Sequence, residues 1–285
     1  MANLIYSRRR DAQELKYEEI AKLAPAVFTD MKHNELSDRY ETVNTLDAMD
    51  ALRSYGYVPV QATQKRTMRG EDTAYAEHMV AFAHKWNLLD TDRPEIIIYN
   101  SHNGKSSMKM FAGFYRGICS NGLVAGEGFE ARMRHLKASI ADVGDMLEDV
   151  AAKLPEMADN MKRMKSIRLS NHQAVDFAYN TTSLRWEMQP DRIDPETTRG
   201  VFANVYTAQS MLRTRRWGDD GMDLWSVMNR TQETLIRGGA TVQSYTDRTP
   251  YGTYRRTRPV GSVQESIRIN RGIWDMTTNY MKEVA

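Results

Sequence analysis

The spacing of hydrophobic residues changes from helical to strand-like near residue 57. A short helix is predicted over residues 11–23, and a second helix begins at Thr45 as its N-cap and ends at Gly56. Beyond Gly56, apolar residues alternate with polar ones, which is typical of strands that bury one face. The predicted strands cover residues 57–64, 79–85 (a stretch whose alanines also fit a helix), 95–101 and 107–118.

The Asn103-Gly104 pair joins the third and fourth predicted strands. Asn-Gly is typical of a two-residue hairpin, because both central residues of a type I′ turn need a positive φ. The four strands are therefore predicted to form an antiparallel meander. The glycine-rich residues 119–128 are predicted to close it.

Helical spacing dominates the remainder of the chain. A long helical stretch is predicted over residues 129–168, divided near Pro155 because proline interrupts a helix. Shorter helices are predicted over residues 171–186, 198–213, 219–237 and 262–284, with Gly238-Gly239 ending the third of them and a loop or mobile hairpin over residues 240–261.

A sheet followed by helices is typical of the α+β class, here a four-stranded antiparallel meander packed against a long helix and followed by a mostly helical C-terminal half. We expect residues 1–44 to form an N-terminal helix and linker. Residues 45–170 are expected to form the α+β core. Residues 171–285 are expected to form a helical region that shares the same core.

The composition is that of a globular protein, with 41% hydrophobic and 27% charged residues. No apolar run approaches the roughly 18–20 residues that span a bilayer, and the N-terminus lacks the apolar core of a signal peptide. We therefore predict no membrane association and a cytoplasmic location. Cys119 is the only cysteine, so neither an internal disulfide nor a multi-cysteine zinc site can form.

Four stretches resemble the uncharacterised phage/plasmid-like protein family of phages, prophages and plasmids. They are Ser37–Gln64 (with "SDRY" and "GYVPVQATQ"), Pro94–Gly122 ("NSHNGKSS"), Leu224–Gly239 ("LWSVMNRTQETLIRGG") and Arg255–Trp274. The resemblance implies a role in the DNA metabolism of a mobile element or in an interaction with its host cell. It carries no catalytic residue over to this chain.

Motifs of enzymes are weak. The HNGKSS segment, residues 102–107, lacks the first glycine of a P-loop, since Tyr99 occupies that position, and it leads from a strand into a strand. His78, His84 and His102 are candidate metal ligands on neighbouring strands, but core or surface histidines are the simpler interpretation. We therefore expect no cofactor.

Two further interpretations as an enzyme are open. Cys119 with a histidine would make a nucleophilic pair, although a free cysteine is more often a small buried hydrophobe. Glu127 and Glu130, together with the acidic run Asp142, Asp145, Glu148 and Asp149, would suit a magnesium-dependent nuclease. The helical spacing of the run favours a solvated helix face instead.

Basic residues interleaved with aromatic ones are the best functional signal. Guanidinium groups bind phosphates through paired hydrogen bonds, and tyrosine rings stack on bases of any sequence. The largest group is Tyr245, Arg248, Tyr251, Tyr254, Arg255, Arg256 and Arg258; the others are Arg213, Arg215 and Arg216, and Lys65 and Arg66. A further basic group, Lys162, Arg163, Lys165 and Arg168, lies toward a predicted helix end, where cations are favoured in any case. A solvated loop or a protein-binding arm would also explain the largest group.

The leading hypothesis is a non-enzymatic protein that binds or anneals single-stranded DNA in recombination or replication. The order of an antiparallel meander and a long helix is similar to that of ring-forming strand-annealing proteins, which implies a homo-oligomer. One alternative is a protein that binds a host protein and modulates host defence or replication. Another is a metal-dependent nuclease.

Overall fold

The sheet-then-helix order of the sequence is the order of the structure, a computed structural model of the α+β class. It describes residues 4–6, 13–29, 44–65, 73–88, 92–103, 107–116, 119–124, 130–133, 140–215 and 220–284. Contacts within the chain separate two units. The first unit comprises the described residues of Met1–Ala158 and Gly261–Glu265, and the second comprises those of Asp159–Val260 and Ser266–Ala285.

The first unit is built on an antiparallel sheet. Its strands in the described part of the chain are β1 Leu4–Tyr6, β2 Tyr57–Lys65, β3 His78–His84, β4 Asp92–Asn100, β5 Met108–Arg116, β6 Cys119–Val124 and β7 Glu130–Met133. Strands β1 to β6 lie side by side in chain order, and β7 pairs with β5. The predicted meander is confirmed as β2 to β5, and the pairing of Tyr99 with Lys109 confirms that β4 and β5 are antiparallel neighbours. Gly104 and Lys105 of the connecting turn lie outside the described residues.

Two stretches of this unit differ from the structure predicted for them. Residues 119–124, expected in a glycine-rich loop, form β6, and residues 130–133, expected in a long helix, form β7. Strand β7 pairs with the first half of β5 and β6 with its second half. Hydrogen bonding to the open side of β5 therefore outweighs the local side-chain pattern.

The helices of the first half are α1 Tyr17–Leu23, α2 Thr45–Ser54, α3 Ile140–Ala151 and α4 Leu154–Ser166. The predicted division of the long helix is confirmed, because Pro155 lies in the first turn of α4, where its missing N–H group is tolerated. Helix α3 contacts α2, β5 and β7. The N-cap of α2 is Asn44, whose side chain accepts a hydrogen bond from the backbone N–H of Leu46 at 2.8 Å, and not the predicted Thr45.

Apolar side chains are buried on both faces of the first sheet. Val80 and Ile98 lie opposite each other on one face, and Ile97 and Phe111 do so on the other. Each such side chain contributes about 1.5–3 kcal/mol when it leaves water. The first unit thus has a core on each side of its sheet.

The second unit combines a small sheet with helices. The strands are β8 Glu187–Met188, β9 Gly200–Ala203, β10 Thr241–Thr246 and β11 Thr249–Arg256; the helices are α5 Asn171–Thr181, α6 Val205–Met211, α7 Leu224–Arg237 and α8 Val263–Val284. Among the described strands, the order across the sheet is β11-β10-β9-β8, and only β8 and β9 are parallel. The helix predicted over residues 198–213 is instead β9 followed by α6, because β9 pairs with β10 and Asn204 caps a new helix.

Helix α7 is buried on all sides from Leu224 to Ile236. Its polar side chains bond within the unit: Arg230 donates to the carbonyl of Gly221 at 2.7 Å, and Gln232 donates to Asn270 at 2.8 Å. Gly238, with φ 76°, ends the helix as predicted. The stretch "LWSVMNRTQETLIRGG" therefore serves the core of this unit.

Candidate nucleic-acid interface

Strand β11 is an edge of the second sheet and carries most of the largest basic-aromatic group. It pairs with β10, and no described strand pairs with its other side. Tyr251 and Tyr254 are 81% and 53% exposed, and Arg255 and Arg256 are exposed beside them. The stretch predicted as a loop or mobile hairpin is thus a β-hairpin with one open edge.

Strand alternation divides these side chains between two faces of the hairpin. The register places Tyr254 and Arg256 on one face, opposite residues of β10. Arg255 lies on the other face, opposite Val242 of β10. Tyr251 is exposed at the irregularity of the strand, where the register with β10 shifts between Thr253 and Thr249. A ligand that contacts both arginines must therefore meet the strand at its edge.

Tyr245 does not belong to this exposed surface. Its side chain is buried and meets the Phe202 ring edge to face, with 5.8 Å between the ring centroids. A Cβ at Gly252 would lie 2.7 Å from the Tyr245 ring, so glycine at this position makes room for it. Burial raises the pKa of Tyr245. We expected Tyr245 to stack on a base, and its position in the core excludes that role.

The exposed arginines of the hairpin are available for phosphate. Within the described residues, Arg248, Arg255 and Arg256 have no carboxylate at ion-pair distance. The carboxylate nearest in sequence, Asp247, pairs with Arg199 at 2.7 Å. The local charge of the hairpin is therefore positive although the net charge of the chain is only +2.

Arg258 follows the strand, and its side chain is exposed. Its backbone carbonyl accepts a hydrogen bond from Arg185 at 2.5 Å, which fixes the chain just after β11. Arg258 thus continues the basic surface beyond the last paired residue of the strand.

The other predicted basic residues are placed differently. Arg213 and Arg215 are both exposed, and Arg215 donates to the carbonyl of Gly238 at 2.8 Å, which stabilises the end of α7. Lys65 belongs to the first unit and lies 3.7 Å from Glu77. Arg66 and Arg216 lie outside the described residues.

Tyr206, which the sequence did not single out, lies beside the hairpin. The residue is 64% exposed, and its ring stands edge to face with that of Tyr254, with 6.3 Å between the ring centroids and 80° between the ring planes. The residue is in the first turn of α6, inside a stretch predicted as a single helix over residues 198–213. Only the pairing of β9 with β10 brings it to β11, so no local pattern could have identified it.

The candidate metal ligands on β3 do not form one cluster. His78 and His84 lie at opposite ends of the strand, whereas the His78 and His102 rings are 5.2 Å apart. His78 is hydrogen-bonded through both ring nitrogens, to the Thr45 hydroxyl at 2.8 Å and the Ala76 carbonyl at 2.9 Å. In the part of the chain that the structure describes, no three His, Cys, Asp or Glu residues are placed to hold a metal ion.

The remaining enzyme motifs lie on separate elements. The carboxylates of the acidic run are exposed on α3; they are Asp142, Asp145, Glu148 and Asp149. Cys119 is the first residue of β6. Among the described helices, none combines the length and apolar composition that a bilayer span requires.

One buried ion pair lies in the first sheet. Arg93 and Glu95 are both almost fully buried, with 3.0 Å between Arg93 Nη2 and Glu95 Oε1. Arg93 also lies over the Tyr115 ring and donates to the carbonyl of Leu88 at 3.0 Å. Burial raises the pKa of Glu95, and the adjacent Arg93 guanidinium opposes part of this rise. The resulting pKa is about 7.

The chain matches a protein family over most of its length. The model of the family "Domain of unknown function (DUF932)" matches residues 32–274, so the chain belongs to this family, and the predicted membership of an uncharacterised family is confirmed.

Two relatives from Escherichia coli strain K12 are similar over nearly their whole length. The UPF0380 protein YfjQ is 31% identical over 286 residues, which cover 99% of this chain and 96% of the relative. The UPF0380 protein YafZ is 32% identical over 278 residues, which cover 96% of this chain and 93% of the relative. No solved structure matches the chain.

Proposed function

We propose that this protein binds single-stranded DNA at the open edge of β11, without covalent catalysis, during recombination or replication of a phage or plasmid. The observation that carries the proposal is the edge strand itself. It exposes two tyrosines and two arginines, and these arginines pair with no described carboxylate. We further propose that the protein acts as a homo-oligomer in the cytoplasm of the host cell.

The geometry of the edge suits a flexible strand. Its contact residues lie on two faces of one β-strand, so a ligand must bend around the edge to reach both. A single strand bends easily, whereas a duplex is stiff over tens of base pairs. Phosphates would pair with Arg255, Arg256 and Arg258, and bases would stack on the tyrosines with about 1–3 kcal/mol each.

Such binding would also permit annealing. Contacts to phosphates and to base faces leave the hydrogen-bonding edges of the bases exposed. A second strand of complementary sequence can then pair with the bound one. The function therefore requires no nucleophile, metal or cofactor in this chain.

The test is fluorescence anisotropy with labelled single-stranded and duplex oligonucleotides of the same length at low salt. We expect tighter binding to the single strand. Charge reversal of Arg255, Arg256 and Arg258 to Glu should lower that affinity at least 10-fold, because three phosphate contacts become repulsive.

The matched control reverses Arg163, Lys165 and Arg168, which are exposed near the end of α4 and change the net charge by the same amount. This variant should bind like the wild type. Equal loss in both variants would show that only net charge matters, and absence of wild-type binding at low salt would remove the proposal.

A second candidate function is binding of a host protein, and one observation favours it. Trp86 is 87% exposed in the first unit, and its ring lies nearly parallel to that of His84. Tryptophan is enriched among residues that dominate the energy of protein interfaces. A host protein that co-purifies in stoichiometric amounts with the wild type, and not with Trp86→Ala, would support this function.

A further inference from the structure

We infer that Tyr206 and Tyr254 form a corner that holds one unpaired base, and that this corner gives the protein its preference for single strands over duplex. The inference rests on the proposed function and deepens it. It assigns a role in recognition to Tyr206, a residue outside the basic-aromatic segment. It also assigns the contact to one face of the hairpin.

The two tyrosines are accessible and come from different elements. Tyr206 belongs to α6 and Tyr254 to β11, and each residue is more than half exposed. Their planes meet at 80°. Two perpendicular rings offer a flat base one face to stack on and one ring against its edge, which is a favourable geometry for aromatic groups.

The Asn204 side chain makes hydrogen bonds both to β10, which neighbours Tyr254, and to the first turn of α6, which carries Tyr206. Gln243 is the cross-strand neighbour of Tyr254, and its Oε1 accepts a hydrogen bond from Asn204 Nδ2 at 3.2 Å. Asn204 also caps α6, since its Oδ1 accepts from the backbone N–H of Thr207 at 3.2 Å. Tyr206 follows two residues after this cap. The corner is therefore held in place before a ligand arrives, which lowers the entropic cost of binding.

The phosphate contact of the same nucleotide has an evident partner. Arg256 lies on the face that carries Tyr254, two residues further along β11, or about 7 Å away. No described carboxylate competes for its guanidinium. A nucleotide whose base lies in the corner would thus place its phosphate toward a free cation.

A base in a duplex cannot occupy this corner, because both of its faces are covered by neighbouring base pairs. Extruding it costs a few kcal/mol. An unpaired base avoids that cost. The corner therefore discriminates between single strands and duplexes, whereas the arginines attract both.

The test compares oligothymidylate with an abasic oligonucleotide of the same length, for full-length protein by fluorescence anisotropy. Tyr206→Ala should bind oligothymidylate about 10-fold more weakly and the abasic strand unchanged, because only a base can lose the stacking contact. Tyr206→Phe, which keeps the ring, should bind both strands like the wild type. The ratio of single-strand to duplex affinity should fall in Tyr206→Ala alone.

Two control variants test whether the effect is specific. Val205→Ala alters the neighbouring exposed residue of α6, and Tyr55→Ala removes an exposed tyrosine from the first unit. Both should bind like the wild type. If Tyr206→Ala lowers the affinity for oligothymidylate and for the abasic strand equally, or lowers neither, the corner does not hold a base. Phosphate binding by the arginines is not contradicted by that result. If wild-type protein binds neither strand at low salt, the proposed function fails together with the corner.

Discussion

At the level of single residues, the buried Arg93–Glu95 pair makes stability depend on pH. The pKa of Glu95 is about 7 in the folded protein and about 4.5 in an exposed chain. Between these values the folded state holds a proton that the unfolded state has released, so the free energy of unfolding falls as pH rises. The stabilisation is complete below pH 4.5 and lost above pH 7, and it amounts to about 3 kcal/mol.

Glu95→Gln should remove most of this pH dependence, because the amide keeps the shape of the side chain and does not titrate. The measurement is urea denaturation of wild type and variant at a series of pH values between 4 and 8. Glu148→Gln, which alters an exposed carboxylate of α3, should keep the wild-type dependence. The same slope in Glu95→Gln and wild type would contradict the assignment.

The burial of such residues could not be foreseen from their identity. Glu95 begins a predicted strand, where a charged residue usually marks a solvent-facing position. Thr45 shows the same limit: a threonine before a helical pattern predicts an N-cap. In the structure its hydroxyl instead joins His78 and Asn100 across the first unit. Both roles depend on neighbours distant in sequence.

At the level of elements, two glycines with different surroundings give opposite predictions. Gly144 lies inside α3, and an added Cβ would meet the Tyr55 hydroxyl at an ordinary 3.7 Å. Gly238 has φ 76°, and an added Cβ would lie 2.5 Å from the backbone carbon of Arg258.

Gly144→Ala should therefore raise the free energy of unfolding by about 0.5–1 kcal/mol, since alanine favours a helix and nothing obstructs it. Gly238→Ala should lower it by more than about 1 kcal/mol, because both the backbone and its neighbours must shift. Chemical denaturation at constant pH measures both changes. A loss of stability in the first variant, or none in the second, would contradict the local geometry.

The elements that the sequence predicted correctly are those with a strong and continuous period. Strands β2 to β5 and helices α7 and α8 fall within this group. The elements it missed are short strands whose pattern is weak: β1, β6, β7, β8 and β9. Each is formed by hydrogen bonds to a strand elsewhere in the chain, which no local period reveals.

At the level of the whole molecule, the sequence shows that the basic and aromatic residues are close together along the chain, but not which of them share a surface. Strand alternation places Arg255 and Arg256 on opposite faces of β11, and Tyr245 is buried, so it is not part of the exposed surface. Tyr206 joins Tyr254 only through the order of strands in the second sheet. The candidate interface therefore depends on the order of strands in the sheet, which cannot be read from composition or from the spacing of residues.

The near-neutral net charge of +2 makes the salt dependence of binding informative. A protein with little overall charge releases counterions only where its cations touch phosphates. Three such contacts, at Arg255, Arg256 and Arg258, predict a slope of about −2 for the logarithm of the affinity for single strands against the logarithm of salt concentration. A slope several times steeper would require many more cations than the hairpin offers.

Removing one contact should change this slope by a defined amount. Arg256→Ala is expected to reduce its magnitude by about 0.7 and to weaken binding to all base sequences alike, because phosphates carry no sequence information. Arg163→Ala on α4 should leave the slope unchanged. If Arg256→Ala lowers affinity at every salt concentration and the slope stays the same, the guanidinium does not contact phosphate. Phosphate binding by the hairpin would then rest on Arg255 and Arg258, and a nucleotide in the tyrosine corner would lack the phosphate partner that we infer for it.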